Sequence, residues 1–415
     1  MGSLNGTRLN GVLVGRPNRA AGAWHALAHG DVIHFGERDE SPAARVVLVA
    51  PPPATPNPGA GPRGSAAAQA QAAALPVAVG VAEEAARGRP SEDRWLVEAP
   101  LRGHPDAALY AVFDGHCGAG AAERAAKALP AQLARCLAEA GPLLRAPPGA
   151  GGADLQRFDG AAQALREAFL ATDAELKCEY EGCAATAVLV WREPAGEGDA
   201  SDAPDASTSG RDDAGGPAPR RLFVQAANVG DASAALAARY ACWIAEGGGV
   251  APGAASLRRT AGALRPPLRA VRLTEEHKVK SAPERARLAA RGIQLRDGET
   301  RLYGLALSRA LGDSFLKVDA ASGLIAEPHV SGVACVHAGE GAFAVLASDG
   351  LWDALSPAAA VELVARARQG AAAPGASWDE AAAALLAQAR ARRSKDDCTV
   401  LLLGLDAALP AAGEG

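Results

Sequence analysis

From Pro76 onward the chain carries apolar runs of strand length: RWLVEA, ALYAVF, ATAVLVW, RLFVQAANV, SAALAARY, GAFAVLAS and CTVLLLGL. Several follow one another with no helical stretch between them. A parallel pair needs a crossover of a dozen or more residues, so strands in direct succession are expected to run antiparallel. The helical stretches come in blocks. Ser281-Ala-Pro-Glu284 has capping-box spacing and opens a helix expected to end near Gly292. Ser356-Pro357 starts another, and Ser377-x-x-Glu380 caps a third that runs through ALLAQARARR. The stretch from Gly118 to Glu139 is helical in pattern and is expected to break or kink at Pro130. Strands in series and helices in blocks predict an α+β class in which helices cover the sheets.

Four of these runs have an aspartate at one end. YAVF leads into Asp114-Gly115-His116, FVQAANVG into Asp231, and FAVLAS into Asp349, with Asp353 four residues on; Asp396-Asp397 precedes CTVLLLGL. Aspartate is a poor strand residue, so one such end signifies no more than a turn or cap. Four ends can bring carboxylates from distant positions to one rim of a sheet. Carboxylate oxygens are what hard cations such as Mg²⁺ and Mn²⁺ require, and like charges gathered together repel unless a cation sits among them.

Composition excludes several classes. A net charge of -5 with a pI near 6.0 leaves no nucleic-acid footprint. Seven scattered cysteines with no CxxC pair fit free thiols better than a disulfide framework or a zinc site. The Ala-rich run 66–86 contains Gln69, Gln71, Pro76, Glu83 and Glu84, which disqualifies it as a membrane span. The start MGSLNGTRLNG lacks the apolar core of a secretory signal, and Gly6 stands where myristoylation needs Ser or Thr. The expectation is a monomeric cytoplasmic protein, with the nucleus as the alternative location. Although 49% of residues are hydrophobic, Ala supplies much of this and aromatics only 4%, so composition overstates the core.

Nine segments occur in an order that resembles the metal-dependent protein phosphatase family, the type 2C serine/threonine phosphatases: RPSEDR, YAVFDGHCGAGAA, GCAATAVLVW, ANVGDASAAL, LTEEHK with ERARLAARG, LALSRALGDSFLK, IAEPHV, ASDGLWDALS and SKDDCTV. The resemblance covers about residues 76–407. It implies a central antiparallel β-sandwich flanked by helices, αββα in layer order, with two metal ions, Mg²⁺ or Mn²⁺, at one end. Asp114 is then expected to bridge the ions, with the carbonyl of Gly115 on one of them. Asp349 and Asp396 complete the other shell, and Glu92 reaches its ion through water. Asp231 and Asp353, with Asp349, match a weaker third metal position. His116 takes the place of the general acid, while a metal-bridging water is the nucleophile. Phosphorylated proteins are the implied substrates. A phosphoprotein-binding adaptor that has lost activity is the competing reading, and a phosphohydrolase of small molecules is a third.

The match departs from the family in four places. The phosphate-binding arginine usually stands four residues before the glutamate, where this chain has Gly88; Arg89 and Arg87 on either side are the two candidates. Cys117 replaces the first glycine after the histidine, which strains the backbone if that position needs positive φ. Asp231 is followed by Ala-Ser where Ser-Arg is more usual. Asp397 replaces an Asn and adds negative charge beside Asp396.

Residues 1–50 carry short strand-like pieces with turn dipeptides Asn5-Gly6 and Asn10-Gly11, then VIHFG and RVVLV. They resemble the second half of a forkhead-associated domain, and of its phosphopeptide-binding residues only Asn5 is matched. Half a sandwich leaves strand edges unpaired, so a longer upstream portion is expected. A forkhead-associated segment joined to such a phosphatase resembles the plant kinase-associated phosphatases, which implies phosphorylated receptor-like kinases as partners. Residues 51–75, rich in Pro, Gly and Ala, read as a linker, 76–407 as the catalytic domain and 408–415 as a disordered tail. Polar or Gly/Pro-rich insertions are expected near 141–153, 193–220 and 245–268.

Overall fold

The computed structural model describes residues 7–9, 12–15, 32–34, 43–45, 75–86, 88–140, 159–192, 221–239, 242–244, 267–317, 322–337, 340–369 and 376–405. The linker up to residue 74, the tail from 406, Asn5 and Arg87 lie outside these residues, as do most of the three insertions. The chain divides into two units, Met1–Ser65 and Ala66–Gly415.

The first unit contains β1 Thr7–Leu9, β2 Val12–Gly15, β3 Val32–His34 and β4 Ala43–Arg45. They form an antiparallel sheet in the order β2-β1-β3-β4. In the first pair Leu9 stands opposite Val12; Asn10 and Gly11, expected to form a turn, lie outside the described residues.

The second unit carries β5 Ala78–Glu84, β6 Arg94–Glu98, β7 Ala107–His116, β8 Gly182–Arg192, β9 Arg221–Val229 and β10 Ser233–Ala238. Then come β11 Cys242–Ile244, β12 Arg269–Arg272, β13 Leu311–Gly312, β14 His329–Val330, β15 Val333–His337, β16 Phe343–Ala347 and β17 Cys398–Gly404. Its helices are α1 Gly120–Ala140, α2 Asp159–Leu176, α3 Ala282–Ala290, α4 Asp349–Trp352, α5 Pro357–Gln369 and α6 Trp378–Ala391. One sheet has the order β12-β10-β16-β17-β5; the other runs β11-β15-β9-β8-β7-β6, with β13 on β8 and β14 on β9. All the named strand pairs are antiparallel.

Alternation along the strands assigns the layers. Tyr110 and Val112 of β7 pack toward Leu346 and Leu401 of the opposite sheet. Their neighbours Leu109 and Phe113 turn the other way, onto Leu129 and Leu133 of α1 and Phe169 of α2. Val345 and Leu402 likewise face Val364 of α5 and Leu385 of α6. Both faces of each sheet are covered, which explains why the strands read as continuous apolar runs rather than alternating ones. Each large side chain so buried contributes about 1.5–3 kcal/mol. Alanine enters this core more than composition suggested, for Ala121, Ala122 and Ala125 are fully buried along α1.

Three local expectations need correction. Helix α1 runs unbroken through Pro130, which is buried against the core, so packing outweighs the one backbone bond the proline removes. Ser281 precedes α3 but its side chain makes no cap, and the reciprocal half of the box is missing because the Glu284 carboxylate is held by Arg287, Ser308 and Arg309. Finally, β9 and β10 are consecutive but lie in different sheets. The chain crosses from one to the other at Gly230-Asp231, where Gly230 takes φ +81 and a Cβ would press on the Ala184 side chain. Ser377, by contrast, forms the full capping box with Glu380 at the start of α6.

Candidate metal centre

The sheet crossing brings the strand-end carboxylates together. Asp114 lies near the end of β7, Asp349 opens α4 just after β16, and Asp231 sits at the crossing between β9 and β10. One oxygen from each lies within 4.8 Å of the others. The backbone N–H of Asp349 donates to Asp114 Oδ2 at 3.2 Å and ties the two sheets at this rim.

This cluster is short of positive charge. Burial, then Asp93, Asp349 and Asp231, push the Asp114 carboxyl well above the ordinary range. Asp349 is pushed up to about 8, by burial first and then by Asp231 and Asp353. Asp231 is raised mainly by burial, although Lys278 pulls against the shift. Behind them Asp93 is raised to about 6, chiefly by burial. Its Oδ2 accepts from Ser348 Oγ at 2.7 Å, and the Thr399 hydroxyl lies beside the carboxylate as well. Clustered oxygen donors with unspent negative charge fit a hard divalent cation. Gly115 lets the Glu92 backbone approach this rim, since a Cβ there would collide with the Glu92 carbonyl oxygen.

The other expected site residues form two flanking groups. Arg89 Nη1 reaches Glu92 Oε2 at 2.7 Å, and Nη2 reaches Asp396 Oδ1 at 3.0 Å and Asp397 Oδ2 at 3.3 Å. Glu92 and Asp396 are therefore joined through Arg89 and are not members of the three-aspartate cluster. Asp397 is buried and accepts the backbone N–H of Ala86 and of Glu92, so the added charge is spent on holding the 86–92 segment to β17. At the opposite flank, Lys278 Nζ lies 2.8 Å from Asp353 and 3.4 Å from Asp231. Burial opposes its charge, but Asp231 and then Asp353 hold the proton and raise its pKa.

His116 ends β7, with Nε2 at 2.8 Å from Asp313 Oδ2. Cys117 after it is exposed and takes φ 59, the left-handed region where glycine is the usual occupant. Sequence reasoning missed Asp93, Lys278 and Asp313. All three lie inside the quoted segments, in RPSEDR, LTEEHK and LALSRALGDSFLK; Asp313 also follows a glycine, a spelling typical of a tight turn.

Comparison with known proteins shows the family. The profile of the family described as protein phosphatase 2C matches residues 77–398, most of the chain. The chain belongs to the protein phosphatase 2C family. It is 33% identical over 420 residues to "Protein phosphatase 2C 70" of Arabidopsis thaliana, an alignment that covers 99% of this chain and 58% of that protein. A probable protein phosphatase of Dictyostelium discoideum is 30% identical over 313 residues, covering 75% of this chain and 27% of the relative. The chain thus spans little more than half of the first relative and about a quarter of the second. Among solved structures, the serine-threonine phosphatase 2C from Toxoplasma gondii superposes with a TM-score of 0.52 at 22% identity, over 79% of this chain and 94% of that one. This likeness concerns the protein phosphatase 2C fold. Among the described residues, no helix is long and apolar enough to cross a membrane.

Proposed function

We propose that this chain is a protein serine/threonine phosphatase that hydrolyses phosphoserine and phosphothreonine with two divalent cations, Mg²⁺ or Mn²⁺. The observation that carries the proposal is the cluster of Asp114, Asp231 and Asp349, where three acidic groups meet and, among the described residues, Lys278 is the cation in contact. Asp114, the Gly115 carbonyl, Asp349 and Asp396 are the proposed ligands, with Glu92 acting through water. Asp231 and Asp353, with Asp349, form the weaker third position. Bound cations would supply a water of lowered pKa and neutralise phosphate charge.

The chain's own groups do the rest. His116 holds the proton that the departing seryl or threonyl oxygen needs, since an alkoxide is a poor leaving group. Arg89 borders the carboxylates and is the proposed phosphate ligand, with Arg87 as the alternative; a guanidinium meets a phosphate through two parallel bonds. Residues 1–50 are read as forkhead-associated in character, which supports phosphorylated receptor-like kinases as the partners.

The test is a phosphothreonine-peptide assay on the purified chain, with Mn²⁺ or Mg²⁺ and after chelation. Turnover is expected only with the cation, and Asp349→Asn is expected to lose on the order of 10²-fold or more. Equal rates with and without metal would sink the proposal.

A further inference from the structure

Gly182, the first residue of β8, lies between two strands. Across one ladder it pairs with His116 of β7, and across the other with Gly312 of β13. Asp313, one residue beyond, takes φ 51, and its N–H donates to the Glu181 carbonyl at 2.9 Å. The side chains of His116 and Asp313 therefore meet directly over the bare backbone of Gly182. A Cβ at residue 182 would overlap both the Asp313 carboxylate and the imidazole. The turn that carries Asp313 is itself pinned. The Gly312 N–H donates to Asp173 Oδ1 at 2.8 Å, and Lys317 Nζ donates to the same oxygen at 2.7 Å and to the Ala310 carbonyl at 2.8 Å.

The Asp313 side chain is 3% exposed, and His116 is its hydrogen-bond partner among the described residues. An ionised carboxylate has only lone pairs to offer, so the ring must present Nε2–H to it. A neutral imidazole left alone exchanges tautomers and turns about its last torsion; a fixed partner on one nitrogen settles both. We propose that Asp313, seated over Gly182, is a positioning residue that holds His116 by Nε2–H and reserves Nδ1 as the proton-delivering atom. The inference rests on the reading of His116 as the general acid. In the step, the Nδ1 proton passes to the departing seryl or threonyl oxygen as its bond to phosphorus breaks. The imidazole is left neutral and still bonded through Nε2–H to Asp313.

Leaving-group dependence separates positioning from structure. A p-nitrophenolate departs without a proton, whereas a seryl or threonyl oxygen needs one. Asp313→Asn keeps the side-chain shape and tolerates positive φ, but its amide no longer dictates the tautomer. Its kcat on a phosphothreonine peptide is expected to fall on the order of 10²-fold with KM unchanged. With p-nitrophenyl phosphate the loss is expected to stay within about threefold, a small part of the general-acid effect. Gly182→Ala, which wedges the pair apart, is expected to show the same selectivity. An equal loss on both substrates, or none on either, overturns the proposal for Asp313. His116→Gln serves as the control for the underlying reading: if its loss is the same on both substrates, His116 is not the acid. A selective loss in His116→Gln without one in Asp313→Asn overturns the positioning alone. Nitrogen NMR of the unaltered, histidine-labelled protein, assigned by the His116→Gln spectrum, gives a readout independent of variant folding. The neutral ring is expected to be Nε2–H, and an Nδ1–H tautomer overturns the proposal.

Discussion

Two groups of buried or partly buried carboxylates among the described residues are treated in opposite ways. Glu284 in α3 is 2% exposed. Its Oε1 accepts from Arg309 Nη2 at 2.6 Å, and its Oε2 accepts from Arg287 Nε and from Ser308 Oγ, both at 2.7 Å. Burial alone would raise its pKa, but these bonds bring it down to about 2. Asp114, Asp231 and Asp349 have Lys278 as their neighbouring cation, and all three are raised. The Glu284 knot is electrostatically complete and belongs to the scaffold. The aspartate cluster is incomplete, and an unbalanced charge in a folded protein points to a group the fold was built to receive.

The sharpest way to break this comparison is to neutralise one carboxylate in each group and watch the sign. Glu284→Gln leaves Arg287 and Arg309 facing each other without their shared counter-charge. It is expected to lower stability by about 3–5 kcal/mol in denaturant unfolding. Asp349→Asn in metal-free protein removes a repulsive charge and is expected to raise stability by about 1 kcal/mol, even as it abolishes turnover. Loss of stability in both variants would mean that the cluster is as self-sufficient as the knot.

Titration gives the next largest contrast. Asp349 has a folded pKa of about 8 against 3.8, so between those values the metal-free fold binds more protons than the unfolded chain. Its stability should therefore fall as pH rises, by up to about 1.4 kcal/mol per unit for one such group. His277 is fully buried with its pKa lowered to about 3, first by burial and then by Arg309. It acts in the opposite sense, and only below its unfolded value of 6.5. The window from pH 6.5 to 8 thus isolates the cluster. In thermal unfolding, chelated protein is expected to lose stability across this window, and Mn²⁺ is expected to suppress the loss.

On the acid side the knot dominates. Glu284 stabilises the fold above its unfolded pKa of 4.5, and that contribution is lost as pH falls toward about 2. The decline should begin earlier, near pH 6.5, because the unfolded chain protonates His277 while the fold does not. With Mn²⁺ bound, melting temperature should fall between pH 7 and 3; in chelated protein the proton uptake at Asp349 offsets His277 down to about pH 3.8, and the fall appears below it, where Glu284 is protonated. Protection by Mn²⁺ at pH 4 equal to that at pH 8 would show that the two groups are not independent.

The sequence made some of this legible and hid the rest for physical reasons. Strand-end aspartates mark the rim because the residue is a poor strand former, so Asp114, Asp231 and Asp349 stood out before any contact was known. Their convergence depends on the sheet change at Gly230, and no local pattern distinguishes a crossing from a hairpin. Lys278 and Asp313 escaped notice because each acts on residues far along the chain, at separations of 75 from Asp353 and 197 from His116. Pairing of this kind is set by tertiary packing and leaves no trace in spacing. The same limit explains Ser281, whose capping-box pattern is correct locally but whose glutamate is claimed by the arginines.

That last conflict yields the smallest prediction and the finest test of the comparison. Ser281 and Ser377 share the same spacing to a glutamate, yet only Ser377 bonds to its helix, accepting from the Glu380 N–H at 3.1 Å. Ser377→Ala is expected to cost about 1 kcal/mol, the usual loss of a cap. Ser281 Oγ is buried without a partner, so Ser281→Ala removes an unsatisfied hydroxyl and should be neutral or slightly stabilising. If the two substitutions cost the same in denaturant unfolding, the Ser281 hydroxyl caps α3 after all, and the contrast between the two helix starts falls.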